Sequence, residues 1–176
     1  MDLVDATEMK NVRLVKSYIR KGVNINAINK RSWITALAMA SIKGYTEIVQ
    51  VLLDAGAELK SPTHACTPLM LACGEGHTDV VKLLLSAGAE IEGQDEYGTT
   101  PLMHASSGNH FATVELLLDM GANIEKKDDT GKTALMEAVQ YDHVAVINLL
   151  IKRGADVHQT FEDGDTMFDV ALLGVD

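Results

Sequence analysis

Aromatic residues are scarce in this 176-residue chain, at 5% with a single tryptophan. Its apolar surface must therefore come from Leu, Val, Ile, Ala and Met, the vocabulary of packed helices. Only two cysteines occur, Cys66 and Cys73. That is too few for a disulfide framework, and a reducing cytoplasm or nucleus is the expected compartment. No apolar run approaches the roughly 18 residues that would cross a bilayer. The first residues, Met1-Asp2-Leu3-Val4-Asp5, lack the basic region and apolar core of a secretory signal. Basic charge is short in the second half: residues 89–176 hold 5 Lys/Arg against 17 Asp/Glu, whereas residues 1–88 hold 10 against 8. The net charge is −10, and the acidic second half disfavours nucleic acid and anionic membrane as partners there, because both repel negative charge. With 47% hydrophobic and 23% charged residues, the composition is that of a folded chain and not of a disordered one.

What the chain has in abundance is internal repetition. Gly56-Ala57, Gly88-Ala89, Gly121-Ala122 and Gly154-Ala155 follow one another at 32, 33 and 33 residues, with Gly22-Val23 standing 34 residues earlier. A second ladder, Thr35-Ala36-Leu37, Thr67-Pro68-Leu69, Thr100-Pro101-Leu102, Thr133-Ala134-Leu135 and Thr166-Met167-Phe168, steps by 32, 33, 33 and 33. A shared period of this length marks a stack of supersecondary units. Each unit reads as two short helices. The Thr hydroxyl suits the free amides of a first helical turn, and proline after it has no N–H to waste. One alanine per unit (Ala40, Ala72, Ala105, Ala138, Ala171) allows neighbouring first helices to approach closely. Gly44, Gly76, Asn109 and Asp142 sit where the chain must leave helical geometry. The second helix carries apolar residues at helical spacing, as in Val80-Val81 with Leu84-Leu85. A polar hairpin-like turn follows, clearest at Asp95-Glu96-Tyr97-Gly98-Thr99 and Asp128-Asp129-Thr130-Gly131-Lys132.

These residues resemble the ankyrin-repeat family: Asp-x-x-Gly-x-Thr-Pro-Leu, then Ala, then Gly-His, a Val/Leu-rich helix and Gly-Ala. Residues 95–127 carry the motif most fully, and its register covers essentially the whole chain. The resemblance implies an all-α solenoid of helix-turn-helix units with hairpin-like turns. One domain over 1–176 is expected: a capping repeat at 1–28, repeats at 29–61, 62–94, 95–127 and 128–160, and a partial sixth at 161–176. The departures from the motif are specific. Met70, Met103, Met136 and Ala38 replace the usual His after Thr-Pro-Leu, which predicts that a polar network gives way to apolar packing. The turn before Thr35 is one residue longer, with Trp33 where glycine is expected. The turn before Thr67 is one residue short and carries Ala65 there.

Candidates for chemistry are weak. His77, His110 and His143 recur at the repeat period, so they lie about 10 Å apart along the stack, too far to share a zinc ion with bonds of about 2.1 Å. They are expected to be structural. His64 and Cys66 lie off the pattern, with Cys73 nearby, yet Cys73 takes a packed alanine position and no fourth ligand is in register. Ser106-Ser107 near His104 and His110 implies no base held by an orienting partner. Solvated carboxylates at turn tips, such as Asp128-Asp129, are not tuned for acid–base work at neutral pH, and Gly74-Glu75-Gly76 lacks the lysine of a phosphate loop. No enzyme, cofactor or metal is expected.

The resemblance implies a protein partner on the concave strip of turn tips and first-helix edges. Carried over position by position, the strip comprises Arg31, Trp33, Ile34, Lys43, His64, Cys66, Glu96, Tyr97, Thr99, Asp129, Lys132, Tyr141, Glu162 and Asp163. Exposed aromatics there would supply contact area at low entropic cost, and the strip runs from basic to acidic. The expected function is a protein-interaction scaffold. The alternatives are a stoichiometric inhibitor or adaptor, and a cryptic metal or enzyme site near His64, Cys66 and Cys73. A monomer is expected, with end-to-end association through the apolar residues near the C-terminus as the alternative.

Overall fold

The computed structural model describes residues 1–60 and 66–160. Among these are ten helices in five pairs and no strand: α1 (Leu3–Glu8) with α2 (Val12–Arg20), α3 (Ala36–Ile42) with α4 (Thr46–Asp54), α5 (Pro68–Gly74) with α6 (Thr78–Ser86), α7 (Pro101–Ser107) with α8 (Phe111–Asp119), and α9 (Ala134–Gln140) with α10 (Val144–Lys152). The expected partial sixth unit lies outside the described residues. So do the short turn before Thr67 and the apolar end on which end-to-end association was argued.

The threonine ladder starts the first helices as its chemistry predicts. Thr35, Thr67, Thr100 and Thr133 each accept the amide three residues on, at 3.2 to 3.4 Å. Two of the methionines correct the expectation of purely apolar packing. Met70 Sδ accepts the Thr67 amide at 3.3 Å and Met103 Sδ accepts the Thr100 amide at 3.4 Å. A thioether is a weak acceptor, so the contact a histidine would make to this amide survives in a softer form.

First helices pack on first helices, and second on second, through the length of the array. Ala40, Ala72, Ala105 and Ala138 are fully buried in the first layer, where Ala6 of α1 completes the series. Leu52, Leu84, Leu117 and Leu150 form the matching buried ladder of the second layer, each contributing about 1.5–3 kcal/mol by burial. Thr113 stands where α4, α6 and α10 bury Ile48, Val80 and Val146. Its hydroxyl is satisfied by Thr78 Oγ1 at 2.9 Å.

The periodic histidines have a structural task. His77 Nε2 bonds the Ile42 carbonyl at 2.9 Å, His110 Nε2 the Gly74 carbonyl at 2.8 Å and His143 Nε2 the Ser107 carbonyl at 2.8 Å. Each ring thus clasps the end of the first helix in the preceding unit, where carbonyls lack helical partners. The ring lies directly over the loop it clasps. A Cβ placed on Gly76 would come 2.3 Å from His110 Nδ1, so this glycine supplies clearance as well as a positive φ. His110→Ala leaves the Gly74 carbonyl without its partner and is expected to lower the unfolding free energy by about 1–3 kcal/mol, read from urea denaturation followed by helical circular dichroism.

Candidate functional site

Three hairpin-like turns are described, and each is closed by backbone hydrogen bonds. Asp95 donates to Thr99 at 3.2 Å, Asp128 to Lys132 at 3.0 Å, and Asn29 to Ile34 at 3.0 Å. The last pair encloses one residue more, as the sequence predicts. The aspartates build their turns from within: Asp95 Oδ1 accepts the Tyr97 and Thr99 amides, and Asp128 Oδ1 accepts those of Thr130 and Lys132. Asn29 does the same for Arg31 and Ser32. Its amide group also ties the turn to Asp2 at 2.8 Å and Asp5 at 3.2 Å. Sequence reasoning missed this buried asparagine. Adjacent tips are joined too, since the Asp129 amide donates to the Tyr97 carbonyl at 3.0 Å.

The predicted strip residues divide into groups. Trp33, Tyr97 and Tyr141 are 68%, 67% and 53% exposed, and Arg31, Lys43, Glu96 and Asp129 are exposed with them. Trp33 has φ +58°, the left-handed value that Gly98 and Gly131 take in the other turns. That conformation costs a side-chain-bearing residue about 1–2 kcal/mol. Ile34, Cys66, Thr99 and Lys132 are half-buried. Lys132 directs its ammonium to Gln140 at 2.7 Å and Glu137 at 3.6 Å, so it belongs to an internal contact. His64, Glu162 and Asp163 lie outside the described residues.

One cluster differs from the sequence expectation. Cys73 is fully buried in α5 and acts as a core residue. Cys66 instead meets Asp95 and His104, two residues from the next unit: Sγ lies 3.8 Å from Asp95 Oδ2 and 3.8 Å from His104 Nε2, and those two atoms are 3.0 Å apart. The expectation that His104 lacks an orienting carboxylate is therefore corrected. Burial pushes the Asp95 carboxyl up, but the Tyr97 and Thr99 amides and His104 outweigh it and hold the group below its ordinary value. Burial, reinforced by the Asp95 charge, pushes the Cys66 thiol up, and burial alone drives the Cys73 thiol far above its usual range. A nucleophilic triad would require the carboxylate on one ring nitrogen and the nucleophile on the other. Here all three atoms meet at Nε2. Ser106 and Ser107 donate their hydroxyls to carbonyls of their own helix, at 2.8 and 3.1 Å.

Cys66 and His104 open on a cleft of about 330 Å³ between the ends of α5, α7 and α9, bordered also by Glu75, Ser107 and Tyr141. The structure thus gathers two residues of the predicted strip, Cys66 and Tyr141, around one depression, and adds His104.

With the helix pairs, capping threonines and tips in place, the comparison with known families is direct. The family model described as ankyrin repeats (3 copies) matches residues 3–95 and 91–161, and the chain belongs to the ankyrin-repeat family. A comparison with curated proteins returns no significant match. Ankyrin repeats are generally protein–protein interaction modules. Among the described residues no helix is long and apolar enough to cross a membrane.

Two measurements on chelator-treated protein check this geometry. A thiol reagent at neutral pH is expected to modify Cys66 slowly, and Cys73 only on unfolding. Asp95→Asn is expected to be less stable than the parent at neutral pH. Because the folded carboxyl titrates below its ordinary value of 3.8, the parent's advantage is complete above that pH. It disappears as pH falls through the folded value, so the two urea midpoints converge in acid.

Proposed function

We propose that the chain is a protein-interaction module that takes its partner along the concave strip of turn tips and first-helix ends. The observation that carries this reading is Trp33: a large aromatic, 68% exposed, held in a left-handed backbone conformation that glycine would adopt at no cost. Strain kept at an exposed position is typical of a site that acts on something outside the fold. Tyr97 and Tyr141 extend the aromatic surface, and the cleft beside Glu75 and Tyr141 offers a pocket for one anchoring side chain. Charge along the strip, basic at Arg31 and Lys43 and acidic at Glu96 and Asp129, suits a partner of opposite polarity. The two free thiols fit a reducing cytoplasm or nucleus.

The test separates fold from binding. Trp33→Gly is expected to keep or raise the unfolding free energy, by about 1 kcal/mol. Combined with Tyr97→Ala, it should weaken by at least about tenfold the partner recovered with the parent chain. Full retention would overturn the strip and direct attention to the exposed apolar residues Phe111 and Val144 at the start of α8 and α10. With a partner in hand, Glu96→Lys/Asp129→Lys is expected to change the association rate and its salt dependence more than the dissociation rate.

A further inference from the structure

We propose that Cys66, Asp95 and His104 form a binding site for a divalent cation of the zinc class, a departure from the metal-free chain expected from sequence. The three donor atoms stand 3.8, 3.8 and 3.0 Å apart. The centre of that triangle is about 2.1 Å from every corner, against zinc bonds of about 2.0–2.2 Å to nitrogen or oxygen and about 2.3 Å to sulfur. Raising the ion about 0.7 Å from the plane, as a tetrahedral fourth ligand requires, brings the three distances to about 2.2 Å. No side chain has to move by more than a few tenths of an ångström.

The donor set selects the ion. One thiolate, one imidazole and one carboxylate suit zinc, or cobalt in its place, whereas magnesium and calcium demand oxygen throughout. On loading, the thiol proton passes to solvent and the imidazole hydrogen moves from Nε2 to Nδ1, leaving a lone pair at Nε2 for the metal. The carboxylate is already aimed: Oδ1 is fastened by the Tyr97 and Thr99 amides, each at 3.0 Å, which leaves Oδ2 to face the ion. This is the outer-shell support that metal-binding carboxylates ordinarily have.

The repeat itself makes the strongest argument. The positions equivalent to Cys66, Asp95 and His104 at the next junction are Thr99, Asp128 and Glu137, and Glu137 there pairs with Lys132. At the junction before, the equivalents of Cys66 and His104 are Ile34 and Leu71. The scaffold therefore requires neither a thiol nor an imidazole at these positions, yet one junction carries both, converging on a fixed carboxylate. The ion would bind one unit to the next, and Cys66 and His104 border the cleft, from which water or a partner's donor atom completes the coordination. Glu75 is the carboxylate among the cleft's lining residues and favours cation entry.

The proposal is tested on the full chain, stripped with chelator and titrated with Co²⁺ and then Zn²⁺. One Co²⁺ per chain is expected, with a thiolate-to-cobalt charge-transfer band in the near ultraviolet that zinc abolishes. Cys66→Ser should eliminate the band, and His104→Gln, which keeps a donor toward Asp95, should weaken affinity by at least about tenfold. Cys73→Ala should leave the band intact. Zinc should raise the thermal midpoint of the parent and not that of Cys66→Ser. Absence of the band from the parent, or its persistence in Cys66→Ser, would overturn the site without touching the interaction reading.

Discussion

A helix of six to nine residues is unstable alone in water, and a pair of them cannot enclose its own apolar face. Everything in this molecule follows from that constraint. Each unit offers a buried alanine to the first layer, every unit after the first offers a buried leucine to the second, and each finds in its neighbour the cover it lacks. The close approach allowed by the alanines brings each second-helix histidine within reach of the preceding unit's last carbonyl. The cohesion of the array is thus local, renewed at every junction by apolar contact and at the last three by a histidine clasp.

Most of this was legible in the sequence, because solenoid positions are replicated: Thr35, Thr67, Thr100 and Thr133 announce the same cap four times, and their agreement outweighs the ambiguity of any single one. The left-handed positions at Gly44, Gly76, Asn109 and Asp142 were legible for the same reason. Contacts made once were not. Asn29 looks like any polar turn residue until its two hydrogen bonds to α1 appear. The methionine sulfurs were read as apolar, although the amide before the helix leaves them an unsatisfied donor to accept. The meeting of Cys66 with Asp95 and His104 crosses a junction between residues 29 and 38 apart. Cys66 drew notice through its sequence neighbours His64 and Cys73, whereas its spatial neighbours lie one repeat away. Overlaying the units on the threonine ladder would have set Cys66 beside the base of the next turn. That is the signal sequence reasoning passed over.

The same overlay shows how a regular scaffold acquires individuality. The position one residue before the capping threonine is partly exposed and holds isoleucine, cysteine, threonine or lysine. The position four residues after it is buried at Met39 and partly exposed at Leu71, His104 and Glu137, and at one junction the two positions meet, as Cys66 and His104. The aspartate that shapes the turn keeps one oxygen for the backbone and offers the other to whatever stands opposite. Turn-building and ligand-building are therefore carried by different atoms of one side chain, which is why a chemical site can arise at a junction without loss of the turn.

The hydrogen bond from the Asp129 amide to the Tyr97 carbonyl has a consequence for the entropy of association. Separate loops would each have to be immobilised when a partner docks, at a cost that grows with their number. The two tips linked here are tied backbone to backbone, so part of their ordering is complete before any encounter. A partner that meets Tyr97 also meets Asp129 at a fixed distance, and the spacing of its own contacts must match that of the array.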